Sequence, residues 1–140
     1  ELDIDNNIVA AALMHHERCD GTGYPSRLND GQINKYAKFI SIIDAYEAMT
    51  SARTYRESLI PFQVIENFEK TSHFYSSIIL NQVLQHIANS QLGSTVRLSD
   101  ETLAEVILIN QKQLSRPLVK CGDQVLDLSQ YPDIKIVAVL

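Results

Sequence analysis

Two adjacent histidines are the first residues in this sequence whose type and position could support chemistry. His15 and His16 follow an apolar run of good helix formers at 8–14, which predicts a helix that ends at the doublet. Neutral imidazole is the commonest metal ligand among side chains. Neighbouring residues on a helix point about 100° apart, so the two rings suit a site with more than one metal. The alternative is that one histidine faces the core and the other faces solvent.

Asp44 is a candidate for a third ligand. The segment 33–52 carries apolar residues at helical spacing, among them Ile40 and Ile43, and Asp44 is expected to project from that apolar stripe. A carboxylate buried there is unfavourable unless it is paired or binds a cation. A structural hydrogen bond to a histidine or to a backbone N–H would explain the residue equally well, so both explanations stay open.

The segment between these candidates has the composition of a tight, shaped loop. Gly21 and Gly23 permit backbone angles that other residues avoid. Pro25 fixes the direction in which the chain leaves the turn. We therefore expect a glycine-hinged loop that carries Tyr24, a residue that could equally be an ordinary loop aromatic.

Two arginines follow the helix predicted to carry Asp44. Arg53 and Arg56 are three residues apart, so they share one face if the turn between them remains helical. Guanidinium groups match phosphate oxygens in pairs, which would make the two residues an anion clamp. The alternative is a pair of surface arginines that stabilise the C-terminus of a helix.

In this order, the sequence HHERCDGTGYP (15–25), the helix with Asp44 and the sequence SARTYR (51–56) resemble the second half of an HD-GYP domain. Domains of that family are metal-dependent phosphodiesterases that hydrolyse the bacterial second messenger cyclic di-GMP. The resemblance, in register from about residue 10 to residue 56, implies divalent transition metal ions such as iron or manganese as cofactors. It implies that the metal ligands are His15, His16 and Asp44, and that the residues contacting the cyclic dinucleotide are Tyr24, Arg53 and Arg56.

The chain also departs from the family's pattern. The family's first half carries a His-Asp doublet and further ligands, and no His-Asp dipeptide occurs here. Tyr75 follows Phe74 where the family often has an acidic residue. We therefore expect an excised part of a longer bacterial signalling phosphodiesterase, which alone is inactive or holds one loosely bound ion, and no residue is assigned as catalytic. The alternative is a degenerate, non-catalytic module that binds cyclic di-GMP or a GGDEF-domain protein.

The expected fold is mainly α, a partial HD-type helical bundle, followed by a small antiparallel β-sheet, and so α+β overall. Residues 1–91 are assigned to the C-terminal half of the helical domain, with further helices predicted at 62–70 and 74–90. Residues 92–140 are assigned to the β subdomain, with a hairpin turn at 121–124. A sheet of this size needs to pack against the helices to be stable. We expect it to cover them or to bind a partner.

Composition excludes several other classes of protein. A hydrophobic content of 45% with 21% charged residues indicates a globular chain. The net charge of −5 gives no electrostatic argument for binding a DNA or RNA polymer. The two cysteines fit no metal-ligand spacing and favour a reducing cytoplasm. No apolar run approaches the roughly 20 residues of a membrane helix, so membrane contact by this chain is not expected.

Overall fold

Within the residues that the structure describes, four α-helices are followed by a five-stranded sheet, which confirms the predicted α+β class. The computed structural model describes residues 4–140. The helices are α1 (Asn6–Met14), α2 (Lys35–Thr50), α3 (Pro61–Lys70) and α4 (Ser77–Asn89). The strands are β1 (Thr95–Leu98), β2 (Leu103–Leu108), β3 (Leu118–Cys121), β4 (Gln124–Asp127) and β5 (Ile136–Val139).

Local sequence signals explain where the helices begin. The carboxylate of Asp5 accepts the N–H of Asn7 at 2.7 Å and caps α1. The side chain of Asn34 accepts the N–H of Tyr36 at 2.9 Å, so α2 begins at residue 35, two residues after the start predicted for it. Pro61 occupies the first turn of α3, where no hydrogen bond from its nitrogen is needed.

All strand pairs in the sheet are antiparallel, and their order is β4-β3-β2-β1-β5. The hairpin between β3 and β4 places Cys121 opposite Gln124. Its turn contains Gly122 at φ 59°, a left-handed conformation that favours glycine. The hairpin is the one predicted from the sequence.

Helices α3 and α4 and one face of the sheet share a hydrophobic core. Almost fully buried side chains come from all of these elements, among them Phe68, Leu84, Leu98, Val106 and Val119. Leu128, which directly follows β4, is fully buried in the same core. The sheet therefore covers the helices, which is one of the two roles expected for it. Among residues 4–140, no helix combines the length and apolar character needed to cross a bilayer.

The orientation of α2 differs from the one predicted. Ile40 and Ile43, expected to face the core, are 42% and 39% exposed, whereas Ile42 is fully buried. Helix α2 packs against α3 and α4 through the stripe that contains Ile42, Ala45, Tyr46 and Met49, which also has helical spacing. Two apolar stripes overlap on this helix: the predicted stripe is wrong at Ile40 and Ile43, although Ile33 and Ala37, which also belong to it, are buried.

Candidate functional site

One cavity brings together four of the six residues assigned to the site from the sequence. Its volume is about 410 Å³, and His15, His16, Tyr24 and Asp44 all line it. We call it the histidine cavity. It lies between the end of α1, the loop after α1, helix α2 and the segment before α4, and its remaining lining side chains are Glu17, Arg18, Thr22, Ser41, Ala45 and Tyr75, with Gly23.

His15 is held by the end of its own helix. Its Nδ1 lies 2.8 Å from the carbonyl oxygen of Ala12. Because a carbonyl oxygen only accepts, Nδ1 carries the proton, and the neutral ring has its lone pair on Nε2. A hydrogen bond of this kind is what orients a metal-binding histidine in many sites. The ring of His16 is close, with the two centroids 3.9 Å apart.

Tyr24 is fixed beside the second histidine by two contacts. Its ring stacks on that of His16, with centroids 4.8 Å apart and an interplanar angle of 18°. Its backbone N–H donates to the carbonyl oxygen of His16 at 3.2 Å. The side chain remains 61% exposed, so the tyrosine can contact a ligand that enters the cavity.

Glu17 holds the loop in shape, a role that the sequence analysis missed. The side chain is only 4% exposed. Its Oε1 accepts the N–H of Ser26 at 2.6 Å, and its Oε2 accepts the N–H of Leu28 at 2.8 Å. The carboxylate is therefore satisfied by backbone donors from the far side of the loop. No short-range sequence pattern marks such bonds, because the partners are nine and eleven residues away.

Gly23 is required by close packing of the loop against the chain that precedes it. A Cβ atom at this position would lie 2.3 Å from the backbone nitrogen of Arg18 and 2.6 Å from backbone atoms of Glu17. Backbone atoms cannot rotate away, so any side chain here would force the loop open. The glycine therefore allows Tyr24 to sit beside His16.

Asp44 lies at the histidine cavity, but not for the reason given from the sequence. We expected a carboxylate on the buried face of α2, and the residue is exposed. Asp44 lines the cavity together with Ser41 and Ala45 of the same helix. Two imidazoles and a carboxylate are suitable donor types for a transition metal. Among residues 4–140, however, no three His, Cys, Asp or Glu side chains are grouped closely enough to hold a metal ion by themselves.

Arg53 and Arg56 do not line the histidine cavity. Helix α2 ends at Thr50, and the two arginines pair through their backbones in a turn, with N···O distances of 3.0 and 3.1 Å. Nη2 of Arg56 donates to the carbonyl oxygen of Ala48 at 2.8 Å, near the end of α2. That bond is the helix-stabilising alternative raised above. A role in substrate binding stays a prediction for both residues.

Two further cavity residues, Arg18 and Tyr75, were not assigned from the sequence. The guanidinium carbon of Arg18 lies 3.9 Å from the centroid of the Phe74 ring. The carbonyl oxygen of Phe74 accepts the N–H of Cys19 at 2.9 Å, which joins this segment to the loop. Burial raises the pKa of Tyr75, which is half-buried next to Phe74. Arg18 is distant in sequence from Phe74 and Tyr75, so no local sequence pattern indicated that these residues lie close together.

Cys19 is not prepared for metal binding or nucleophilic chemistry. Burial raises the pKa of its thiol to about 12, with a further contribution from its hydrogen bond to Asp30. The carboxylate of Asp30 is held 2.9 Å from Nζ of Lys38. The hydrogen bonds from Lys38 and Cys19 lower the pKa of Asp30. Cys19 therefore stays a thiol near neutral pH, and the thiolate that binds metals is absent.

A second cavity, of about 440 Å³, lies between α2 and α4. Apolar side chains such as Phe39, Ile43, Val83 and Ile87 form most of its lining. Its polar lining side chains are Tyr46, Gln82 and His86, and no carboxylate or thiol lines it. This cavity therefore lacks the donors that a catalytic or metal site needs.

The family of the chain follows from its sequence. A family model described as HD domain matches residues 1–75, more than half of the chain. This chain belongs to the HD domain family. The match confirms the resemblance inferred from the histidine doublet, the glycine loop and the helix that carries Asp44.

The curated relatives are cyclic dinucleotide phosphodiesterases. A cyclic di-GMP phosphodiesterase of Pseudomonas aeruginosa is 30% identical over 113 residues, covering 81% of this chain and 27% of the relative. A cyclic di-GMP phosphodiesterase of Borreliella burgdorferi is 24% identical over 140 residues, covering 96% of this chain and 37% of the relative. A 3′3′-cGAMP-specific phosphodiesterase of Vibrio cholerae is 47% identical over 45 residues, which is 32% of this chain and 10% of the relative. The chain thus spans only about a third or less of the length of these proteins.

Proposed function

We propose that this chain forms part of the active site of a bacterial signalling phosphodiesterase that hydrolyses cyclic di-GMP at a site with more than one metal ion. The observation that carries the proposal is the convergence of His15, His16, Asp44 and Tyr24 on one cavity. The names of the relatives support the substrate class. The full reaction belongs to the complete protein.

The residues at the cavity fit a metal in donor type, and we assign His15, His16 and Asp44 as the ligands supplied by this chain. His15 has its Nδ1 bound to Ala12, so its Nε2 is the nitrogen available to a metal. When bound, divalent transition metals would lower the pKa of a coordinated water and polarise the phosphate oxygens. Tyr24, stacked on His16, is in position to contact the dinucleotide beside them.

The 140-residue chain alone is proposed to be inactive. A site with more than one metal needs several ligands for each ion, and residues 4–140 contain no three-donor group. The isolated chain would then hold no ion or one weakly bound ion. The missing ligands would come from the His-Asp half that family members carry.

A second candidate function is a non-catalytic module that binds cyclic di-GMP or a GGDEF-domain protein. The observation in its favour is the same lack of a three-donor group in the part of the chain that the structure describes. A complete protein that binds the dinucleotide tightly, but never cleaves it when supplied with manganese or iron, would establish this alternative.

The proposal is tested in the complete protein by replacing His15 or His16 with Ala, and Asp44 with Asn. Bound metal is counted by elemental mass spectrometry, and cyclic di-GMP hydrolysis is followed by chromatography. Loss of a direct ligand should cost more than the roughly 10- to 100-fold in metal affinity or activity that loss of an outer-shell partner costs. The control is His86→Gln, because His86 lines the other cavity. Full metal content in all three variants would overturn the assignment.

The proposed substrate contacts of Arg53 and Arg56 need a separate experiment. In the complete protein, Arg53→Ala and Arg56→Ala should weaken cyclic di-GMP turnover and leave metal content unchanged. Loss of a charge-assisted contact is worth about 1.5 to 3 kcal/mol. If Arg56→Ala turns over substrate normally and only unfolds more easily, its bond to Ala48 is its whole role.

A further inference from the structure

Arg18 lies at the histidine cavity, where it is neither one of the proposed metal ligands nor one of the residues that hold the loop in shape. It comes two residues after His16 and lines the same cavity. Its guanidinium carbon lies 3.9 Å from the centroid of the Phe74 ring. The backbone bond of 2.9 Å from Cys19 N–H to the carbonyl oxygen of Phe74 fixes the loop to this aromatic residue. Arg18 is thus held at the cavity by its contact with Phe74.

The donors of Arg18 are not used within the part of the chain that the structure describes. Its guanidinium makes no ion pair and no side-chain hydrogen bond with any of residues 4–140. Two arginines far from the cavity do use their side-chain donors: Arg97 pairs with Glu101, and Arg116 donates to the carbonyl oxygens of Ile134 and Pro132. A guanidinium that packs its face on a ring keeps its edge, with its N–H groups, available. Arg18 therefore offers a donor pair to a ligand.

The residues around the Arg18 guanidinium suit a ligand that carries a hydrogen-bond acceptor next to a nucleobase. Tyr75 lies next to Phe74 and lines the histidine cavity, half-buried. Its ring also packs edge-on against Phe68 of the core, with centroids 5.3 Å apart, which fixes its position. Aromatic side chains can stack on any nucleobase, because every base has a π-face. Arg18 and Tyr75 thus bring a donor edge and an aromatic side chain to the same cavity.

We propose that Arg18 is a substrate-binding residue whose guanidinium edge binds a pair of acceptors on the cyclic dinucleotide. Phe74 is the positioning residue that holds the guanidinium. Two acceptor pairs on the substrate match such an edge: two phosphodiester oxygens, and the O6 and N7 atoms of guanine. The inference rests on the proposed function, because it assumes that a cyclic dinucleotide enters the histidine cavity.

The test measures dissociation constants by calorimetry in the complete protein with Arg18→Gln and Arg18→Lys. The probes are cyclic di-GMP, 3′3′-cGAMP and cyclic di-AMP, which carry two, one and no guanines. We expect Arg18→Gln to weaken binding about 10- to 100-fold, as for loss of a charge-assisted contact. Lysine should restore only part of this affinity, because it lacks the planar fork. Phe74→Leu should weaken binding less, since it keeps the arginine.

The pattern across the three probes distinguishes the two acceptor pairs. Equal losses for all three dinucleotides indicate a phosphate contact, whereas a loss confined to the two dinucleotides that contain guanine indicates the O6 and N7 edge. The control is Arg97→Gln on β1, which should bind all three as the unchanged protein does.

Two outcomes would overturn the inference, and they are distinguishable. Unchanged affinity of Arg18→Gln for every dinucleotide, in a protein that binds at least one of them, rejects the role of Arg18 alone. Failure of the unchanged protein to bind any of the three rejects the proposed function and this inference with it.

Discussion

The carboxylate of Glu17 accepts the backbone N–H of Ser26 at 2.6 Å, which closes the loop that carries Tyr24. The second oxygen of the same group accepts the N–H of Leu28 at 2.8 Å. Because Glu17 follows His16 directly, one side chain connects the end of α1 to the far side of the loop. The geometry of the histidine cavity therefore depends on a residue whose two carboxylate oxygens both accept backbone N–H groups of the loop.

Glu17→Gln should destabilise the loop, because the amide has one oxygen for two backbone donors. One part-buried N–H loses its acceptor, which costs about 1 kcal/mol. Urea denaturation measures the loss, and hydrogen exchange should accelerate at Ser26 and Leu28. Glu105→Gln on β2, an exposed position, is the control. Unchanged exchange at both amides would show that the loop keeps its shape without the carboxylate.

Gly23→Ala and Gly31→Ala form a matched pair of substitutions. A Cβ at Gly23 meets backbone atoms at 2.3 and 2.6 Å, whereas a Cβ at Gly31 meets nothing within 4 Å. Overpacking at Gly23 should cost about 1 to 3 kcal/mol. Gly31→Ala should be neutral or stabilise by up to about 1 kcal/mol, since it restricts the unfolded chain. Thermal unfolding of the two variants checks the difference, and equal melting temperatures would contradict the close approach at Gly23.

The elements marked by a single strong local signal were predictable from the sequence. Pro61 indicated the start of α3, and the turn at 121–124 indicated the hairpin of β3 and β4. The order of motifs was enough to bring His15, His16, Tyr24 and Asp44 to one cavity. For Pro61 and the hairpin turn the information lies in adjacent residues, whereas the meeting of Asp44 with the two histidines was implied by the family resemblance.

The sequence predictions failed for features that depend on contacts between distant segments. The inward face of α2 could not be chosen, because Ile40 and Ile43 form one apolar stripe and Ile42 and Ala45 begin another. Only packing against α3 and α4 selects between them. Arg18 was missed for the same reason, since its partner Phe74 comes from the segment between α3 and α4. Periodicity carries no information about such meetings.

Cys19 should react slowly with alkylating reagents near pH 8, and Asp30→Asn should make it react faster. Burial and the hydrogen bond to Asp30 raise the thiol pKa from its ordinary value of 9.0 to about 12. Removing the charge of Asp30 lowers the pKa towards the ordinary value, so more thiolate is present. The measurement is the rate of reaction with iodoacetamide in a Cys121→Ser background. Asp123→Asn in the hairpin turn is the control, and equal rates for Asp30→Asn and the control would contradict the prediction.

The same shift predicts how stability depends on alkaline pH. The folded chain holds the Cys19 proton more tightly than the unfolded chain, so this contribution to stability is complete below about pH 9. It is lost as the pH rises through the folded value of about 12. Urea unfolding at pH 8 and at pH 10.5 should therefore show a smaller decrease in stability for Cys19→Ser than for the unchanged chain. An identical decrease in both proteins would contradict a Cys19 pKa that is higher in the folded chain than in the unfolded chain.

Leu128→Ala should destabilise the helices as well as the sheet. Leu128 is fully buried, and it belongs to the core that also contains Phe68 of α3 and Leu84 of α4. A buried leucine truncated to alanine costs about 2 to 5 kcal/mol. Circular dichroism of the helices and hydrogen exchange of the sheet amides should then report one transition at lower urea. Leu103→Ala on β2, where the side chain is 57% exposed, should change stability by no more than about 0.5 kcal/mol. If the helical signal of Leu128→Ala melts at unchanged urea while the sheet amides lose protection, residues 1–91 and 92–140 unfold as separate domains.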